Sequence, residues 1–137
     1  MFLLDTNVIS ELRQGKPNPS AEVRNWAAQH RASTLYLSAI TILELERGIL
    51  LLERRTPPQG AALRVWLTGV RAAFAGRILP FTEQAASLCA ALHVPDPRSE
   101  RDALIAATAL EHGFTVATRN TPDFANTGVQ LVNPWEK

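Results

Sequence analysis

Short strand-like runs alternate with helix-like stretches along this chain, and that alternation limits its fold more than any other feature of the sequence. Phe2-Leu3-Leu4, Thr34 to Leu37, Arg77-Ile78-Leu79, Phe114 to Ala117 and Val129 to Val132 are rich in residues that suit a buried pleated surface. Between them apolar residues recur at helical spacing, as in Leu63, Trp66, Leu67 and Val70. Helices are expected from about Val8 to Arg13, Ala21 to His30, Ile40 to Arg54, Ala61 to Ala75, Glu83 to His93 and Arg101 to His112. Strands separated by helices pair as parallel neighbours, because parallel pairing needs crossover connections. The expected fold is α/β, with three layers in the order α/β/α around a short, mostly parallel five-stranded sheet.

Punctuation residues set the boundaries. Asp5-Thr6-Asn7 offers three capping residues, so the first strand runs straight into a helix N-terminus, and Gly15 and Pro17 close that helix. Ser20 and Thr82 are candidate caps of later helices. Pro57, Pro58 and Gly60 read as a break, and Val94-Pro95-Asp96-Pro97 as a loop that no helix can cross. Ser99 with Asp102 resembles a capping box, and Gly113 a left-handed helix end. In parallel α/β sheets the ligand crevice lies beyond the carboxyl ends of the strands. Asp5 follows the first strand and the Thr118 to Asp123 loop follows the fourth.

The 137 residues, 46% of them hydrophobic, suit one domain spanning 1–137. A formal net charge of +1 gives no strong field to gather nucleic acid, so phosphate contacts must be local. Lys16 and Lys137 are the only lysines, and arginine forks suit phosphate well. Cys89 is alone, which excludes an internal disulfide and cysteine-based zinc sites and points to a reducing cytoplasm. The opening apolar run stops at Asp5, too short for a signal peptide or a bilayer span, so a soluble protein without membrane contact is expected.

Four acids remain to be explained. Taken singly, Asp5 could cap the first helix, Glu44 could pair with Arg47, Asp102 could favour a helix dipole and Asp123 could be a loop residue. Taken together, Glu44 lies in a segment apolar on most sides and Asp102 opens Ala103-Leu104-Ile105-Ala106-Ala107, so both are expected in a partly buried crevice. Two carboxylates about 4 Å apart at an effective dielectric near 20 repel by roughly 4 kcal/mol. A shared pocket therefore needs protonation or a cation. Magnesium and manganese take oxygen ligands, whereas His30, His93 and His112 have no ligand spacing, which disfavours zinc.

Leu3-Leu4-Asp5-Thr6-Asn7 resembles the opening motif of PIN-domain toxins, the VapC and FitB group of toxin–antitoxin systems. Ser38 to Gly48, containing the step Glu44-Leu45, is similar to the second motif; Asp102 to Ala109 is similar to the third and Thr118 to Phe124 to the fourth. The resemblance covers the whole chain and implies a PIN-like fold. By it, Asp5, Glu44, Asp102 and Asp123 form the acidic set, with Asp5, Asp102 and Asp123 as metal ligands. It makes Thr6, Thr118 and Asn120 polar groups that orient carboxylates, water or substrate. Glu46 competes with Glu44 but lies about 200° away around the helix, and the Glu-Leu step favours Glu44. Family members commonly have a glycine where this chain has Pro95 and Pro97, which leaves the shape of that loop open.

The activity implied is hydrolysis of RNA phosphodiester bonds by water activated on Mg2+, with Mn2+ able to substitute. Also implied are a homodimer and a small cognate antitoxin whose tail lies in the acidic groove, with an arginine against the carboxylates. Operator DNA would be bound only through that antitoxin. A catalytically inert PIN-fold regulator that works only with an antitoxin-like partner is the alternative. A haloacid-dehalogenase-type phosphatase would want a second aspartate two residues after Asp5, where this chain has Asn7.

Overall fold

The computed structural model describes residues 1–136. Five strands, β1 (Phe2–Leu4), β2 (Leu35–Ser38), β3 (Ile78–Leu79), β4 (Thr115–Ala117) and β5 (Leu131–Val132), form one sheet in the order β3-β2-β1-β4-β5. Every pairing is parallel, so the sheet is wholly rather than mostly parallel. Successive side chains of a strand point to opposite faces, and here Leu3 joins Val116, Ile105 and Phe124 on one side while Leu4 joins Val8, Leu37 and Ala117 on the other. The helices are α1 (Thr6–Glu11), α2 (Ala21–Ala28), α3 (Ala39–Arg55), α4 (Pro57–Ala73), α5 (Glu83–Leu92) and α6 (Glu100–His112). Residues of α1 to α4 cover the second face, whereas α6 covers the first and packs α5 through Ala103 and Ala107 against Ala85 and Cys89. No helix among the described residues is long and apolar enough to cross a membrane.

Several boundaries differ from the sequence expectation for local reasons. The Asp5 carboxylate accepts from the Thr6 backbone N–H, so α1 starts at Thr6 rather than Val8. Pro57 and Pro58 do not break the chain; they open α4, whose first turn has no intrahelical use for their missing N–H groups. Gly60 lies inside α4, where a Cβ would stand 2.6 Å from the Glu53 backbone nitrogen. Its bare backbone is what lets α4 close against α3. Ser99 precedes α6 but makes no side-chain cap, so the expected capping box with Asp102 does not form; the Asp102 carboxylate turns to Arg101 instead. β5 is confined to Leu131 and Val132, opposite Val116 and Ala117.

Ser20 and Thr82 cap α2 and α5 as expected, accepting from Val23 and Ala85 N–H groups. Gly113 ends α6 in the left-handed conformation, at φ 69°. Arg98 shapes the proline loop before α6, donating from Nε to the Leu92 carbonyl at 3.0 Å and from Nη1 to the Ala125 carbonyl at 2.9 Å.

Candidate active site

The chain runs outward from β1 to β2 and β3, then crosses back to the far side of β1 for β4 and β5. In parallel sheets a reversal of this kind marks where ligands bind, at the carboxyl ends of the central strands. Asp5 leaves β1 there, its N–H donating to the Ala117 carbonyl at 2.9 Å, and Ser38 and Thr118 leave β2 and β4 at the same level.

Asp5 is fully buried. Its Oδ1 accepts from the Thr6 N–H at 2.7 Å, and its Oδ2 accepts from the buried Thr118 hydroxyl at 2.8 Å and the Asn7 amide at 3.5 Å. The ordinary role of helix cap and the role of site carboxylate therefore fall on the same side chain. Ser38 caps α3 by accepting from the Thr41 N–H, which fixes the turn that carries Glu44. The Thr6 hydroxyl reaches Glu44 Oε1 at 2.7 Å and Thr41 Oγ1 at 3.1 Å. Glu46 faces away, to Arg64 of α4 at 2.6 Å, and Arg64 also holds Glu53 at 3.0 Å. Both bonds raise the Arg64 pKa.

One guanidinium gathers three acids. Arg101, in the first turn of α6, donates from Nε to Glu44 Oε2 at 2.7 Å, from Nη1 to Asp102 Oδ1 at 2.7 Å and from Nη2 to Asp5 Oδ1. Burial pulls the guanidinium's pKa down, but the bonds to Glu44 and Asp5 outweigh it and leave Arg101 above the ordinary arginine value. Its charge is permanent at any working pH. The repulsion expected among the acids is thus relieved by a cation from within the chain. Arg101 is the residue that sequence reasoning missed, although a signal was present: the shared pocket needed protonation or a cation, and an arginine directly precedes Asp102.

The remaining candidates divide. Thr6 and Thr118 orient carboxylates, as described. The Asn120 N–H donates to Thr118 Oγ1 at 3.1 Å, and its exposed side chain makes no hydrogen bond among the described residues. Asp123 lies on a short 3-10 helix, Thr121–Phe124, and is exposed, with no side-chain partner among the described residues. Asp5, Glu44 and Asp102 come together and Asp123 stays outside their bonding network. Arg119 follows Thr118 into solvent, with its guanidinium 5.2 Å from the centre of the Trp135 ring.

Buried Asp5, half-buried Glu44 and buried Asp102 form an all-oxygen donor set with a hydroxyl beside each of the first two. Such donors fit a hard divalent cation. With Arg101 between them, no group of three His, Cys, Asp or Glu side chains among the described residues stands close enough to hold an ion. The donor chemistry fits; the spacing requires the guanidinium to move.

A family model, PIN domain, matches residues 2–129. The chain is 43% identical over 145 residues to "VapC ribonuclease Y4jK" of Sinorhizobium fredii, covering 99% of each. It is 39% identical over 140 residues to "Toxin FitB" of Neisseria gonorrhoeae, covering 98% of this chain and 99% of that one. Among solved structures, FitAcB from Neisseria gonorrhoeae aligns with TM-score 0.88 and 41% identity over 100% of both chains. FitAB bound to an IR36 DNA fragment aligns with TM-score 0.83 and 39% identity, over 100% of this chain and 97% of that one.

Proposed function

Because the chain belongs to the PIN-domain family, within the VapC/FitB group of toxins, we propose that it is a divalent-metal-dependent endoribonuclease held in check by a cognate antitoxin. The observation that supports this reading most is the convergence of Asp5, Glu44 and Asp102, distant in sequence, on one point at the strand crossover. Asp5 would be the central ligand, because it is buried and both its oxygens are already directed by hydrogen bonds. Glu44 and Asp102 would complete the set, and Asp123 would join by a turn of its short helix toward the crevice. A bound Mg2+ or Mn2+ would polarise the phosphate and lower the pKa of an attacking water.

This chain's own groups have definite tasks in that scheme. The Thr6 and Thr118 hydroxyls hold the Glu44 and Asp5 carboxylates in fixed orientations, so little reorganisation is needed when substrate arrives. Arg119, exposed beside Thr118 and steadied on Trp135, is suited to hold an RNA phosphate near the crevice. No side chain is required to form a covalent bond. The test is cleavage of RNA in Mn2+ or Mg2+ by the purified chain and by Asp5→Asn, Asp102→Asn and Asp123→Asn. Loss of at least about 100-fold in rate is expected for the first two, the scale of removing one strong electrostatic contact. Cleavage at the wild-type rate by either of them would sink the assignment.

The inert reading has one observation in its favour, since Arg101 already satisfies the acids without metal. The same assay separates the two. An inert protein would cut no RNA at any Mn2+ concentration yet still bind its antitoxin, whose DNA-bound counterpart in FitAB supports an operator complex formed through the partner.

A further inference from the structure

Arg101 uses three different nitrogens on three different carboxylates, a pattern unlike the two-pronged fork in which arginine usually meets one carboxylate. No other cation pairs with Asp5, Glu44 or Asp102 among the described residues. Resting on the metal-dependent reading above, we propose that Arg101 is the resident counter-ion of the acidic set and competes with the divalent ion for the same carboxylates. It must leave before the ion can bind. One guanidinium leaves two of the three formal negative charges uncompensated, whereas a dication compensates two and draws oxygens in to about 2.1 Å. With the guanidinium in place, no three of the acids among the described residues stand close enough to share an ion. Departure is structurally easy. The Arg101 side chain keeps 32% exposure and hangs from the first turn of α6, so rotation about its own bonds carries it to solvent with the backbone unchanged. The metal-free enzyme is thereby kept folded with its acids neutralised, and apparent metal affinity is lowered by the fraction of time that Arg101 stays in place.

The test compares Mn2+ binding, by titration calorimetry or loss of the free-ion spin-resonance signal, in wild type, Arg101→Gln and, as a site control, Asp5→Asn. Arg101→Gln is expected to bind Mn2+ about tenfold tighter or more than wild type. Without metal it should melt at a lower temperature than wild type, and Mn2+ should raise its melting temperature by more. Equal or weaker Mn2+ binding by Arg101→Gln, with an equal melting shift, overturns the counter-ion role and leaves the metal-dependent reading standing. No Mn2+ binding by wild type or Arg101→Gln overturns both. Should Arg101→Gln not survive purification without metal, it is purified in Mn2+ and freed of the ion by dialysis just before the same titration. Arg101→Lys keeps the charge and should bind Mn2+ within a few-fold of wild type, and a gain as large as that of Arg101→Gln would overturn the counter-ion role.

Discussion

At the scale of single residues, the site depends on hydroxyls that aim carboxylates. Thr118→Val preserves shape but leaves Asp5 Oδ2 with only the 3.5 Å contact from Asn7. A buried charged acceptor stripped of its donor costs about 1–3 kcal/mol. The variant should unfold at lower denaturant concentration than wild type and cut RNA more slowly, with Thr118→Ser recovering both; a Thr118→Val protein of unchanged midpoint would remove the hydroxyl from the account. Glu11 gives a pH-dependent counterpart away from the site. The Ser20 N–H at 2.9 Å lowers its pKa, burial opposes that, and Lys16 at 3.3 Å lowers it further, for a net depression below 4.5. The unfolded chain therefore binds the proton first as pH falls, so Glu11 stabilises the fold above about pH 4.5 and the contribution disappears as pH drops through the folded-state pKa. Glu11→Gln should flatten the acid limb of a stability-versus-pH curve; a limb identical to wild type would contradict the assignment. Helical spacing was enough to send Glu44 and Glu46 apart, and the resemblance of the Glu44-Leu45 step chose between them. It could not show that Arg101 reaches three acids, since Glu44 and Asp5 come from elements brought to Arg101 only by the finished sheet.

At the scale of elements, periodicity and caps located the five strands and the six α-helices but not the two short 3-10 helices; some boundary errors are local, as at Pro57 and Pro58, and others lie where tertiary contact overrides local preference. Gly60 is the clearest case. Read along the chain beside Pro57 and Pro58 it looks like a breaker, yet in the α3–α4 hairpin it is the point of closest approach, with a Cβ placed 2.6 Å from Glu53 N and 2.7 Å from Glu53 Cα. Neither is the tip of a flexible side chain, so Gly60→Ala must push the helices apart, at a cost of about 1–3 kcal/mol. Gly69 lies in the same helix with nothing within 4 Å of its would-be Cβ. Gly69→Ala should instead stabilise by roughly 0.5–1 kcal/mol through helix propensity. Thermal melts of the two variants should shift in opposite directions, and shifts of the same sign would refute the close-approach explanation. The Ser99–Asp102 box failed for a related reason: a carboxylate three residues beyond a cap has two uses, and the ion pair with Arg101 took precedence.

At the scale of the whole molecule, the sheet is covered on both faces, but α3 and α4 still present large apolar side chains to water. Leu43, Leu50 and Leu51 on α3 are 52%, 53% and 51% exposed, and Val65 on α4 is 73% exposed. Scattered exposed leucines are ordinary; several along one helix, with Leu43 and Leu50 seven residues apart on one side of it, form the kind of surface that monomers seldom leave bare. The sequence showed a segment apolar on most sides without showing which residues the core would use, because α3 has apolar residues on more than one face and only Thr41 and Ile49 are fully taken up inside. From this excess we predict self-association through α3. The chain should sediment or scatter light at about twice its 15.0 kDa mass at micromolar concentration. Leu43→Glu combined with Leu50→Glu should return it to a single-chain mass without lowering its metal affinity, since neither leucine bonds to Asp5, Glu44, Asp102 or Arg101. A wild-type chain that stays at 15.0 kDa under those conditions would show that the exposed leucines serve something other than a second copy.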